Sequence, residues 1–366
     1  MKVLIIGGGA IGMMQARSLA QRGCEVTLIE KGLCGKEASW AGGGIVSPLY
    51  PWRYNDAVTA LASWSQTYYA NLAVSVEAES DIDPELCRHG LLVLSVPDEA
   101  KALAWGESNS LWLNAIEPEE IYRLEPNLRE GVKRALYMPQ VASIRNPRLM
   151  RALRTSLERD ARVTIAEQQS IASFIFSGDR VSGVRTDRND FLADVVVITA
   201  GAWSNQLLGM LNLSIPVKPI KGQMVLFKTD KPLVRRVVLC DGKYVIPRRD
   251  GRVLAGSTLE DCGFDKTTTA TAKDTLTDVA IDMFPELASA QIEAHWAGLR
   301  PGCEDGIPVI GEIPQIPGLF INAGHFRNGL VLAPASVQLL TETILQGDLP
   351  FDPAPYHPSL KVTRLT

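Results

Sequence analysis

Short apolar runs alternate with amphipathic stretches along this chain, and their order predicts an α/β fold. Residues 3–6 (VLII) and 26–29 (VTLI) are β-rich, and the segment between them is helix-forming. Residues 57–80 read as a helix, 91–96 as a strand, and EAKALAW starts another helix. In 146–160, Leu149, Met150, Leu153 and Leu157 fall on one face at helical spacing. Two strands follow, around VTIAE and VSGVRT. Residues 191–204 (FLADVVVITAGAWS) read as one apolar run, which suits a strand buried on both faces of a parallel sheet. Residues 216–260 change character to extended segments, with Asp250-Gly251 as a hairpin turn. Residues 318–345 return to a strand, a Gly-rich turn and a helix. An antiparallel sheet is therefore expected to be threaded between discontinuous α/β pieces.

The glycines after the first strand carry the clearest chemistry. Gly7, Gly9 and Gly12 are spaced G-x-G-x-x-G. Gly7 permits a tight turn, Gly9 lets backbone N–H groups approach a pyrophosphate, and Gly12 lets the helix pack on the sheet. Glu30 ends the second strand, placed to bond a ribose hydroxyl pair, so FAD and NAD both fit and a 2′-phosphate does not. Dinucleotide sites lie at the carboxyl ends of parallel strands, which places Ala200 and Gly201 beside this motif. Gly42, Gly43 and Gly44 form a second glycine run, read as a buried loop that approaches a ligand with backbone; a surface loop is the plainer alternative. Residues 48–57 are equally consistent with a lid and with a packed loop.

Composition narrows the class. The chain has 366 residues, 46% hydrophobic and 21% charged, enough for two domains. A net charge of −4 and a pI of about 5.7 give no support for a nucleic-acid or anionic-membrane partner. No run is long enough for a membrane span, and the Lys2-led apolar start fits strand–turn–helix better than a signal peptide. Six cysteines without C-x-x-C spacing read as reduced thiols in a cytoplasmic protein. Four histidines show neither metal spacing nor a triad, so no metal and no catalytic histidine are expected.

In order along the chain, GGGAIG with Glu30, SWAGGG (39–44), LEPNL (124–128), ITAGAWS, PIKGQ, YVIPRRDGR, HWAGLRPG (295–302) and AGHFRNG (323–329) resemble the FAD-dependent D-amino-acid oxidase family, and within it the bacterial glycine oxidases. The resemblance implies a Rossmann-like (GR2-type) FAD domain, residues 1–80, 141–215 and 301–366, interleaved with an antiparallel-sheet substrate domain of α+β type, residues 81–140 and 216–300. It implies non-covalent FAD held by Gly7, Gly9, Ala10, Ile11, Gly12, Glu30, Lys31, Ala38, Ser39, Gly42, Gly43, Gly44, Ala200, Gly201, Gly324, His325, Phe326, Arg327, Asn328, Gly329 and Leu330. Arg300 is the expected grip on a substrate carboxylate, Tyr244 its assistant, and Arg327 a third group near substrate and flavin.

The implied reaction is oxidation of glycine, sarcosine or a small D-amino acid, with hydride passing to flavin N5. Dioxygen then accepts the electrons, and imine or 2-oxo acid, ammonia and hydrogen peroxide are released. A role in supplying the glycine imine for thiamine and a homo-oligomeric state (dimer or tetramer) are also implied. The alternatives are a dehydrogenase passing electrons to a quinone and a demethylating sarcosine-type oxidase. Two positions depart from the glycine-oxidase pattern. Gln223 stands where a glutamate is expected, and Gly242 where a histidine is known. Both fall in the substrate half, so side-chain preference is expected to follow them.

Overall fold

A computed structural model describes residues 1–365. Its first sheet has six strands in the order Val309–Glu312, Leu319–Ala323, Val195–Ile198, Lys2–Ile6, Glu25–Ile29 and Val163–Ala166. All neighbours run parallel except Val309–Glu312, which pairs antiparallel with Leu319–Ala323. Alternation along the strands sends Val3, Ile5, Val195 and Val197 into one core and Leu4, Ile6, Val196 and Ile198 into another. The first core is closed by the helices Ala10–Gln21, Asp56–Ser80, Asn146–Arg159 and Gly329–Leu345. Both faces are covered, which is why these strands read as continuous apolar runs.

The run 191–204 is not one strand. Phe191 and Leu192 belong to Asp190–Leu192, at the edge of a three-stranded antiparallel sheet with Ile171–Ser177 and Arg180–Thr186. The parallel strand is only Val195–Ile198. The physical reason is Asp194, whose carboxylate accepts a hydrogen bond from Lys2 N at 2.8 Å and marks the break between the two sheets.

The second sheet has eight strands, ordered Gln291–Cys303, Val217–Lys228, Val253–Gly256, Lys243–Pro247, Val237–Cys240, Leu91–Leu94, Ala135–Met138 and Asn114–Ile116. It is antiparallel except where Val237–Cys240 runs parallel to Leu91–Leu94. Asp250-Gly251 turns the hairpin between Lys243–Pro247 and Val253–Gly256. Residues 48–57 are packed: Tyr50 and Trp52 are buried against one face of this sheet, and Asp98 fixes both Trp52 Nε1 and Arg53. The second sheet meets the short helix Ala38–Ala41, which follows the first sheet's strand Glu25–Ile29, where Trp296 Nε1 donates to Ala41 O at 3.1 Å and its ring lies edge-on to Trp40. A Cβ at Gly298 would stand 2.5 Å from Ala41 Cβ, so this approach depends on glycine. No helix among the described residues is long and apolar enough to cross a membrane.

Candidate active site

Register brings the first part of the site together. Ile6 pairs with both Ile29 and Ile198, and Ile198 pairs with Ile321. The next residues, Gly7, Glu30, Thr199 and Asn322, therefore leave four neighbouring strands at one level and line one cavity. The cavity lies at the carboxyl ends of the strands, where the chain leaves Lys2–Ile6 to both sides, which is where open α/β sheets bind ligands. Counted to its open mouth, solvent-filled space included, it encloses about 1310 Å³.

Its floor is backbone. Gly7 has φ +113°, and a Cβ there would meet Thr199 O at 2.6 Å. Gly44 has φ +82°, and a Cβ would stand 2.0 Å from Ile144 O. Two helix N-termini without side-chain caps, those of Ala10–Gln21 and Gly329–Leu345, open here, and Ala10 N donates to Ser39 Oγ at 2.9 Å. Glu30 is held from both sides, by Gly8 N and Gly32 N, each at 2.7 Å. Asn322, 1% exposed, has neither amide atom paired within the protein, and Asn146 Oδ1 is also unpaired.

Most of the expected contacts line this cavity: Gly7, Gly9, Ala10, Ile11, Glu30, Ala38, Ser39, Gly42, Gly43, Gly44, Ala200, Gly201, His325, Phe326, Arg327, Gly329 and Leu330. Four expected contacts are not part of its wall. Gly12 lies beneath it, packed so closely that a Cβ would be 1.9 Å from Gly7 O, and Lys31 is exposed. Gly324 turns the backbone at φ +87° against Val217, and Asn328 is buried at the helix cap. Wall residues without a motif of their own include Glu37, Ser47, Leu49, Asn146, Ser257 and Asn322. A regular spacing would not have found them, because they arrive from separate elements.

The His325 ring packs into the protein, with Nε2 3.1 Å from Ser336 Oγ. Burial pushes its pKa down to about 3 from the ordinary 6.5. The unfolded chain therefore binds one more proton than the fold between these values. This group's contribution is complete above pH 6.5 and is lost as pH falls toward 3. The slope is at most about 1.4 kcal/mol per pH unit. Comparing His325→Gln with the parent by urea unfolding at about pH 4.5 and 6.5 should show a shallower acid loss in the variant. Equal slopes would contradict this assignment.

At the other end the second sheet supplies the charge. Arg300 Nη1 donates to Thr258 O at 3.1 Å and Nη2 to Ser257 Oγ at 2.7 Å. Its guanidinium occupies the space a side chain at 222 would take: a Cβ on Gly222 would lie 2.2 Å from both Nη atoms. Burial pulls the Arg300 pKa below the ordinary arginine value, and Arg327 adds to this against the opposing effect of Tyr244. Tyr244 is buried, its hydroxyl 3.5 Å from Met224 Sδ. Arg327 lines the cavity and forms no ion pair among the described residues. Lys243, which sequence reasoning passed over, donates to Ser257 O at 2.8 Å; burial, then Arg327 and Arg300, lower its pKa. Three cations thus converge here, while the carboxylates in the wall are Glu30 and Glu37.

Neither departure from the family pattern touches the cavity. Gln223 is 0% exposed and bonds Glu260 and Thr269. Gly242, at φ +77° after Asp241 at φ +45°, completes a two-residue hairpin turn and donates to the Tyr50 hydroxyl at 3.0 Å. Among the described residues no group of three or more His, Cys, Asp or Glu could hold a metal ion.

The architecture and the glycine-floored cavity define a dinucleotide-dependent oxidoreductase, and the comparisons say which. The family model described as FAD dependent oxidoreductase matches residues 2–343, so the chain belongs to that family and FAD is its cofactor. It is 50% identical over 358 residues to the glycine oxidase of Pseudomonas aeruginosa, covering 98% of both chains. The crystal structure of glycine oxidase from Geobacillus kaustophilus superposes with a TM-score of 0.92 at 30% identity, covering 97% of each chain. The Bifunctional protein ThiO/ThiG of a Nostoc species is 30% identical over 94% of this chain, which spans 52% of that longer protein. The residues present fit FAD. Two helix N-termini can face a pyrophosphate, glycines stand where side chains would block a flat ligand, and orphaned buried amides face the cavity.

Proposed function

We propose that this chain oxidises glycine and other small amines, including sarcosine and small D-amino acids, at the C–N bond. The observation that carries this is Arg300: a half-buried guanidinium over Gly222, with Tyr244 and Arg327 beside it, lining the same cavity as Glu30. A planar cation out of water is suited to a carboxylate, which it can grip at two points. Tyr244 would orient the same carboxylate. Arg327, Arg300 and Lys243 together disfavour an ammonium near them, so a bound amine tends to shed its proton and present a lone pair. The residues then have only to bind and aim the α-carbon; no protein base is required. When bound, FAD supplies the two-electron acceptor, with dioxygen reduced to hydrogen peroxide and an imine as first product, which water hydrolyses to the 2-oxo acid and ammonia, or methylamine from sarcosine.

On this reading the FAD is non-covalent and is held by the glycine-floored wall and Glu30. The cofactor domain comprises residues 1–80, 141–215 and 301–366, and the substrate domain 81–140 and 216–300. A cytoplasmic homo-oligomer, dimer or tetramer, and a supply of glycine imine for thiamine are parts of the same proposal. The thiamine role is supported by likeness to the ThiO/ThiG protein. The test is peroxide release from the purified holoenzyme with glycine, sarcosine, and D- and L-alanine. Glycine, sarcosine and D-alanine should release peroxide and L-alanine should not. Turnover only with an artificial electron acceptor would make the enzyme a dehydrogenase, and turnover of sarcosine alone a demethylating oxidase.

A further inference from the structure

Behind Arg300 stands a partly buried polar cluster that the proposed reaction does not use. Lys221 and Gln223 flank Gly222 on the strand Val217–Lys228 and are 2% and 0% exposed. Strand alternation turns both side chains to the face opposite the one on which the guanidinium lies. There they meet Glu260. Its Oε1 accepts from Gln223 Nε2 at 2.8 Å and from the Thr258 hydroxyl at 2.5 Å, and its Oε2 lies 3.3 Å from Lys221 Nζ. A backbone bridge ties the same residues: Lys221 N donates to Glu260 O at 2.8 Å and Glu260 N to Lys221 O at 3.0 Å. Thr258 is the link to the site, because its carbonyl accepts from Arg300 Nη1 while its hydroxyl also accepts from Gln223 N at 2.8 Å.

We propose that Glu260 is a positioning residue for the substrate-gripping arginine, acting through Thr258 and Ser257. The inference rests on reading Arg300 as the carboxylate grip. A guanidinium carries five N–H donors in one plane, and two contacts with the 257–258 segment set the tilt of that plane. The remaining donors point usefully only if that segment holds still. Glu260 holds it, and no neutral residue does so equally well. Donors from Thr258, Gln223 and Lys221 converge on one group, which only a carboxylate can accept without offering a donor of its own. The charges facing Glu260 are Lys221 on its own side and Arg300 and Lys243 across the segment; Asp265 shares Lys221 at 3.3 Å. Removing the carboxylate leaves the buried lysine with only Asp265 and the Thr267 carbonyl, and the Thr258 hydroxyl without its acceptor.

The probe is acetate, which has the carboxylate but no amine, titrated against the flavin absorbance of the holoenzyme beside glycine kinetics. Glu260→Ala and Glu260→Gln should each weaken acetate binding and raise the glycine KM about tenfold, with most of the change in KM and little in kcat. Thr258→Val should act in the same direction. The double variant Glu260→Ala/Thr258→Val should be no worse than the poorer single variant, because both cut one chain of contacts. Acetate affinity within about twofold of the parent in the Glu260 variants, or effects that multiply in the double variant, would overturn the proposal. If Glu260→Ala fails to retain flavin, Glu260→Gln and Thr258→Val decide alone. Arg300→Ala separates the two readings. If it leaves acetate binding intact, the grip itself is wrong; if it abolishes binding while Glu260 variants do not change it, only the positioning role fails.

Discussion

Arg300→Ala is expected to raise the glycine KM by about a hundred- to a thousandfold, while the purified protein stays yellow. The size follows from losing a bidentate, charge-assisted contact in a site removed from water. It is also a subtraction from a crowded cationic cluster, so part of the loss is offset by relief of repulsion with Arg327 and Lys243. Arg300→Lys should recover little. An ammonium is a point charge and cannot both hold Ser257 and Thr258 and present a fork to substrate. Steady-state peroxide assays with glycine, with flavin content measured from absorbance, check both halves. An unchanged KM would remove Arg300 from the carboxylate site, and loss of colour would make its role structural.

Gly222→Ala should also damage the enzyme, although it adds only one methyl group. Strand register pairs Gly222 with Gly298 and leaves the backbone no freedom to retreat. The added Cβ would sit 2.2 Å from both terminal nitrogens of Arg300, so the guanidinium must leave its place over the strand. We expect kcat/KM for glycine to fall at least about tenfold, with little loss of stability, because the displaced atoms are the end of a flexible side chain. Gly222 is not part of the cavity wall, so flavin content should be preserved. Gly209→Ala is the control, since a Cβ there meets nothing within 4 Å. Equal activity in Gly222→Ala and Gly209→Ala would show that Arg300 tolerates displacement and that its placement is not what matters.

These two predictions differ in how visible their residues were before folding. Arg300 stands out in its motif, whereas Gly222 is merely the glycine of PIKGQ until the register sets Ile220 opposite Arg300. Lys243 carried no signal, because a lysine beside a tyrosine in a strand looks like a solvated neighbour. Gln223 and Gly242 carried one through their departure from the family pattern, but not their placement: neither lines the cavity, one being buried behind the strand and the other forming a hairpin turn. The run 191–204 misled for a related reason: apolarity alone does not show which sheet a strand joins, and Asp194 divides it between two.

What could be read before folding is local. Glycine spacing, strand-ending acids and helical faces depend on residues within a few positions of one another, so the α/β order, the dinucleotide motif and the hairpin at Asp250-Gly251 were legible in the chain itself. The substrate end is non-local. Arg300, Arg327, Glu260 and the adjacent pair Lys243 and Tyr244 come from separate strands and turns, and only register, strand alternation and the absence of a side chain at Gly222 place them within reach of one another. Neighbourhood along the chain prepares the cofactor's cradle, whereas the charge that selects a substrate exists only once distant strands are paired.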